Sequence, residues 1–242
     1  IFHWSMIRTM LKEYPQVNLR GVDHDVYSTS PTTSRGANVL GLSCESNVVF
    51  AHQISEGPVH RAKNVSGKIT GRCLFTGGMG DIGLCSARWC QSKCRQPVTL
   101  VGRRLPSARL AGLQWYTVSL CDVSFSEDVT HQMSFSAVQN VIHTAGGLFD
   151  DLLKSQGVSS SRKCFQPKVT GLQRLLSLSM HPMRSFVSFS SIASVIPTAG
   201  QANYSAANSY MDHLCHRLRN TGIPTSSAVS YTHLRAHETV YN

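Results

Sequence analysis

From residue 66 onward, apolar and polar positions fall into blocks whose period switches between that of a strand and that of a helix. "KITGRCLFTGG" is an apolar run that ends in glycines and reads as a buried strand entering a tight turn. "DIGLCSARWCQSK" carries apolar residues at helical spacing, and Pro97 punctuates before a second strand, "VTLVG". "YTVSLCDV" and "SAVQNVIHTAGG" supply the third and fourth strands. "KVTGLQRLLSLS" has helical spacing and precedes the strand "SFVSFSS". "NYSAANSYMDHLCHRLRN" predicts a long helix whose end is marked by Gly222 and Pro224, and "TSSAVS" is the last strand. Strands alternating with helices predict an α/β fold built on a doubly wound parallel sheet, with ligands at the carboxyl ends of its strands.

The first 65 residues show no comparable rhythm: "STSPTTSRGAN" is loop-like and "NVVFAHQI" reads as one strand. The chain therefore divides into a short irregular flanking segment (1–65), an α/β domain (66–230) and a polar tail (231–242) that fits neither strand nor helix. It opens at Ile1 without a signal pattern and reads as cut from a longer protein. A chain of 242 residues with 41% hydrophobic content can bury one sizeable core. No stretch approaches the roughly 18–20 uninterrupted apolar residues a membrane helix needs; a cytoplasmic setting is expected on the reading of the cysteines as reduced thiols.

Charge and cysteines narrow the chemistry. Residues 1–65 carry six basic and five acidic side chains, whereas residues 66–230 carry sixteen and seven. That bias favours an anionic partner: a phosphate-bearing cofactor, an acidic carrier protein or a nucleic acid. No basic run interleaved with aromatics and no zinc finger is present, which sets nucleic acid aside. None of the eight cysteines forms a C-x-x-C pair. A zinc site on Cys85, Cys90 and Cys94 lacks partners at the usual spacing, so reduced thiols and no metal are expected.

"TGGMGDIG" follows the first strand and opens a helix, which is where a dinucleotide-binding turn belongs. Thr76, Gly77, Gly78, Gly80 and Gly83 would let the backbone approach a pyrophosphate, with the helix amino terminus facing the anion. Asp81 disturbs this cradle: its carboxylate suits the helix dipole but repels a diphosphate unless it points outward. The second strand ends in "VGRR", and no acidic residue occurs from Ile82 to Cys121. An NAD site places a carboxylate there for the ribose hydroxyl. Arg103 and Arg104 instead suit a 2′-phosphate, which favours NADPH over a merely solvated basic turn. Asp122 either bonds the adenine amine or caps the next helix.

Reducing a ketone with a nicotinamide needs a hydride for carbon and a proton for the developing alkoxide. A tyrosine can give the proton if a nearby cation eases its ionisation, and a serine hydroxyl can hold the carbonyl oxygen. Tyr204 and Ser191 lie at a helix start and a strand end, so both hydroxyls reach the same sheet edge. One turn on from Tyr204, where most short-chain reductases carry lysine, this chain has Asn208.

"TGGMGDIG", "VGRR", "CDV", "HTAG", "FQPKVTG", "SFVSFSSIAS" and "GQANYSAANSYMD" occur in this order. Together they resemble the ketoreductase domain of modular polyketide synthases and fatty acid synthases, a branch of the short-chain dehydrogenase/reductase superfamily. The resemblance covers roughly residues 68–230 and implies a Rossmann-like fold and a β-ketoacyl reductase acting on an acyl carrier protein beside neighbouring synthase domains. That family has asparagine where Asn208 stands and takes its lysine from the preceding long helix, at the position of Lys168. The resemblance then implies that Ser191 positions the carbonyl and Tyr204 donates the proton. Lys168 and Asn208 organise the tyrosine, the cofactor ribose and the proton relay, and Ala145 and Gly146 contact the cofactor.

A Leu-Asp-Asp motif marks one stereochemical subtype, and its equivalents here are Leu148, Phe149 and Asp150. The opposing subtype has tryptophan where this chain has Ile196. Asp150 therefore points by resemblance to a D-configured β-hydroxyl; its plain reading is a loop acid. The connection from Asp122 to His143 is shorter than the family's, and "YTHLRAHETVYN" stands where a lid and final strand are expected, as in a domain truncated at its C-terminal end. These departures, with Asp81, favour the alternative of an inactive scaffold domain of such a synthase.

Overall fold

The structure, a computed structural model, describes residues 69–104, 112–124, 138–177, 183–196 and 198–230, segments 39–44 and 47–52, Leu110 and several positions between 6 and 14. The loop-like "STSPTTSRGAN", the shortened connection before His143 (residues 125–137) and the tail 231–242 lie outside the described residues.

The flanking segment is less irregular than its sequence rhythm suggests. Strands β1 (Val39–Cys44) and β2 (Asn47–His52) pair antiparallel, so "NVVFAHQI" supplies one strand of a hairpin. The other strand, "VLGLSC", is diluted by Gly41 and Ser43, which hides its pairing from a periodicity count.

The α/β domain follows as β3 (Arg72–Thr76), α1 (Asp81–Cys94), β4 (Val98–Gly102), β5 (Tyr116–Leu120) and β6 (Val138–His143). Then come α2 (Val158–Phe165), a π-helical turn (Gln166–Thr170), α3 (Gly171–Ser177), β7 (Ser185–Ser191), α4 (Ala202–Asn220) and β8 (Thr225–Ser230). The six strands run β5-β4-β3-β6-β7-β8, and every pairing is parallel. Succession proceeds outward from β3 on one side and from β6 on the other, which opens a crevice at their carboxyl ends.

Side-chain alternation along β3 builds the layers. Cys73 and Phe75 pack with Leu84, Ala87 and Cys90 of α1, whereas Leu74 packs on the opposite face with Leu172 and Leu175 of α3 and Met211 of α4. Helix α4 packs closely because Ala202, Ala206 and Ala207 are small and buried, Ala207 in a cluster with Cys164 of α2 and Val169 of the π turn. No described helix is long and apolar enough to cross a membrane.

The predicted helix from Lys168 begins earlier than its apolar spacing suggests, at Val158. "VSSSRKCF" is too polar to register as periodic, and Pro167 looks like a stop. The π turn absorbs that proline: the Gly171 N–H reaches the Gln166 carbonyl, and α3 continues the same rod.

Candidate active site

The cradle is built where β3 meets α1. Thr76 is buried, and its carbonyl accepts from the Thr144 N–H at 2.9 Å, which ties β3 to β6. Gly77 has φ +64°, and a Cβ there would stand 2.7 Å from the Ala145 nitrogen. A Cβ at Gly83 would stand 2.5 Å from the Gly77 carbonyl. Both positions exclude any side chain. The Gly78 N–H donates to Val101 at 3.1 Å and the Gly80 N–H to Gly77 at 2.9 Å, so the turn is fastened to β4 and closed on itself. Gly80 starts α1 without a side-chain cap, as an anion-binding helix end requires. Asp81 is exposed and is not among the residues lining the cleft, which answers the repulsion its charge raised.

A cleft of about 380 Å³ opens over this turn, lined by Gly77, Gly80, Arg103, Asp122, Ala145 and Gly146 among others. Arg103 and Arg104 are exposed just beyond β4. Asp122 lines the cleft and also caps a turn: Oδ1 accepts from the Ser124 N–H at 2.9 Å and from the Ser124 hydroxyl. A cradle that a Cβ would fill, beside two guanidinium groups, fits the pyrophosphate and phosphates of a dinucleotide. Among the described residues no group of three His, Cys, Asp or Glu side chains could hold a metal. Cys85 is exposed and Cys90 is buried in the core, so α1 does not present them together.

The four side chains expected to react converge from three elements. Lys168 comes from the π turn and is only 5% exposed. Its Nζ donates to Asn208 Oδ1 at 2.9 Å and to the Phe189 carbonyl at 3.3 Å, and it stands 5.1 Å from the Tyr204 ring centroid. Glycine at 146 leaves room for this lysine, since a Cβ there would lie 2.9 Å from Lys168 Cε. Burial lowers the ammonium from 10.5 to about 8, partly offset by the Asp212 carboxylate. Burial also pushes the neighbouring Cys164 thiol up to about 11, which keeps it neutral.

Tyr204 sits in the first turn of α4, and Asn208 Nδ2 donates to its carbonyl at 2.8 Å. Burial raises the phenol above its usual range, while hydrogen bonding with Asn208 and Ser191 acts in the opposite direction. Ser191 ends β7, where its Oγ accepts from the Ala193 N–H at 3.3 Å. Asp150 is exposed, and its Oδ2 accepts from Gln201 Nε2 at 2.8 Å. Phe149, at the lost acidic position, packs in the apolar cluster that includes Tyr204. The structure thus brings Lys168, Asn208, Tyr204 and Ser191 to one sheet edge, with Asp150 at its margin.

His143 borders the candidate site, and motif reading passed it over. It is fully buried at the end of β6, with Nδ1 2.6 Å from Thr76 Oγ1 and Nε2 3.1 Å from the Lys168 carbonyl. One neutral ring therefore accepts from the threonine and donates to the π turn, joining the cradle to the lysine. Burial pulls its pKa from 6.5 to about 4. A proton then favours the unfolded chain, so this contribution is complete above pH 6.5 and is lost as pH falls toward 4. The expected loss is on the order of 3 kcal/mol across that window. Urea unfolding of the wild type against His143→Asn checks it: the wild type should lose more stability on acidification, and parallel curves would contradict this role.

Residues 71–235 match the family model described as the KR domain. The chain is similar to polyketide synthase GfsA of Streptomyces halstedii, 32% identical over 194 residues, which are 74% of this chain and 3% of that protein. It is also similar to the pikromycin polyketide synthase component PikAII of Streptomyces venezuelae, 33% identical over 174 residues, 65% of this chain and 5% of that protein. The chain thus spans a small fraction of these curated relatives. Among solved structures, the first ketoreductase of the tylosin polyketide synthase superposes with a TM-score of 0.63 at 30% identity, over 68% of this chain and 39% of that one. With the parallel sheet, the crevice and the glycine cradle already in place, these matches establish that the chain belongs to the KR domain family, the ketoreductase domains of polyketide synthases.

Proposed function

We propose that this chain reduces a β-ketoacyl thioester on an acyl carrier protein to the β-hydroxyacyl form with NADPH, as one domain of a polyketide synthase. The observation that carries this reading is the buried Lys168–Asn208 hydrogen bond beside Tyr204. A buried cation whose hydrogen-bond partners are a neutral amide and a carbonyl is costly, and an idle scaffold has no use for that cost. The excess of basic over acidic residues in 66–230 supports an anionic cofactor and an acidic carrier.

Gly77 and Gly80 would hold the pyrophosphate on a turn that Thr76, Gly78 and Gly83 shape from behind, Arg103 the 2′-phosphate, and Asp122, Ala145 and Gly146 the nucleoside side of the cleft. When bound, the nicotinamide supplies the hydride. Ser191 orients the ketone oxygen by donating its hydroxyl hydrogen. Tyr204 gives that oxygen its proton as negative charge develops, which completes the alcohol. The Lys168 ammonium stabilises the phenolate left behind, and Asn208 fixes the ammonium and the first turn of α4. Asp150, at the margin, is the group that would favour the D-configured hydroxyl.

Mass analysis of a carrier-linked β-ketoacyl substrate after incubation with NADPH tests the reading. Conversion to the hydroxyacyl product is expected. Tight NADPH binding without product would establish the scaffold reading instead.

Arg103→Ala should weaken NADPH binding by about 10–100-fold and change NADH binding by less than about threefold, because only NADPH presents a phosphate to that side chain. Fluorescence titration with both nucleotides measures this. Equal wild-type affinity for the two would remove the role assigned to Arg103.

A further inference from the structure

We infer that Glu13, far outside the matched domain, is a positioning residue that clamps the two loops flanking Tyr204. Its Oε2 accepts from the Leu153 N–H at 2.6 Å and its Oε1 from the Gly200 N–H at 2.7 Å. One carboxylate thus joins the loop after Asp150 to the loop before α4. Those loops are already stitched together: the Asp151 N–H donates to the Gly200 carbonyl at 2.9 Å, and Gln156 Nε2 donates to the Asp151 and Gly200 carbonyls. Gly200 holds φ +81°, a conformation that presents its N–H to Glu13 while its carbonyl faces Asp151 and Gln156.

The clamped loops frame Tyr204 from residues 150–156 and 200–203, outside the lining of the nucleotide cleft. Beyond the clamp, Gln201 bonds Asp150, and Asn203 Nδ2 donates to the Phe149 carbonyl at 2.9 Å. None of these loop residues lines the cleft. Releasing the clamp should therefore loosen the acyl side of the site and leave the cradle unaffected. Hydrogen bonds to a carboxylate are the stronger kind, and two of them meet on this one side chain.

This inference rests on the reductase reading only for its kinetic arm. In Glu13→Ala, kcat/KM for the β-ketoacyl substrate should fall about tenfold, chiefly through KM, with NADPH affinity within about twofold of wild type. Glu13→Gln keeps one acceptor oxygen and should fall between the two. Hydrogen exchange at the Asp151 amide, which Glu13 does not touch, should quicken in Glu13→Ala. Kinetics within about twofold of wild type, or an equal loss of NADPH affinity, would overturn the positioning role. If the wild type itself proves inert, the exchange arm decides alone: unchanged protection at Asp151 in both variants would overturn the clamp.

Discussion

Replacing Tyr204 with phenylalanine is expected to lower kcat for ketone reduction by about three orders of magnitude, with NADPH affinity within about twofold of wild type. The phenol is the proton donor in the proposed chemistry, and no other described residue takes that place. Removing one hydroxyl leaves the ring in its apolar cluster with Phe149 and Phe165, so the fold should be unaffected. The cradle and Arg103 lie on other elements, which is why binding and turnover separate. Steady-state kinetics with parallel nucleotide titration reads both quantities. A loss of less than about tenfold would remove Tyr204 from the proton-donor role.

Lys168→Met should cost about 10²–10³ in kcat while changing stability by no more than about 3 kcal/mol. Two opposing terms produce that small net change. The wild-type ammonium is buried, and its displacement from 10.5 to about 8 corresponds to a cost on the order of 3 kcal/mol. Methionine removes that cost but leaves Asn208 Oδ1 and the Phe189 carbonyl without their donor, at about 1–3 kcal/mol each. The pH dependence carries the same signature. Because the folded pKa is lowered, wild-type stability should be least below pH 8 and rise between about 8 and 10.5; the methionine variant should lack that rise. Wild-type kcat/KM should fall above about pH 8 as the ammonium loses its proton. A pH-independent profile across that range would contradict the charge assigned to Lys168.

The sheet and cradle were legible because they are local. β3, the glycine turn and α1 announce themselves as an apolar run, a side-chain-free loop and a helical period within one short stretch. Lys168 was legible only by resemblance. Its helix is interrupted by Pro167, and a π turn that tolerates the proline leaves no mark in the apolar spacing. Residue types alone place Asn208 one turn from Tyr204 but not the ammonium that joins them.

His143 and Glu13 escaped for a different reason. Their partners include backbone groups, and every residue but proline supplies both kinds, so no motif records the pairing. His143 meets the Lys168 carbonyl across 25 positions, and Glu13 meets Leu153 and Gly200 across 140 and 187. Only the fold brings such groups together. The hairpin β1–β2 escaped because Gly41 and Ser43 of "VLGLSC" blur its alternation.

The central claim is that Lys168, delivered by the π turn, works on Tyr204 as one catalytic unit. A double-mutant cycle in kcat between Lys168→Met and Tyr204→Phe tests it most directly. The account predicts that the double variant is no slower than Tyr204→Phe alone, within about threefold, because the lysine has no phenolate left to stabilise. Losses that multiply to the product of the two single effects would contradict it.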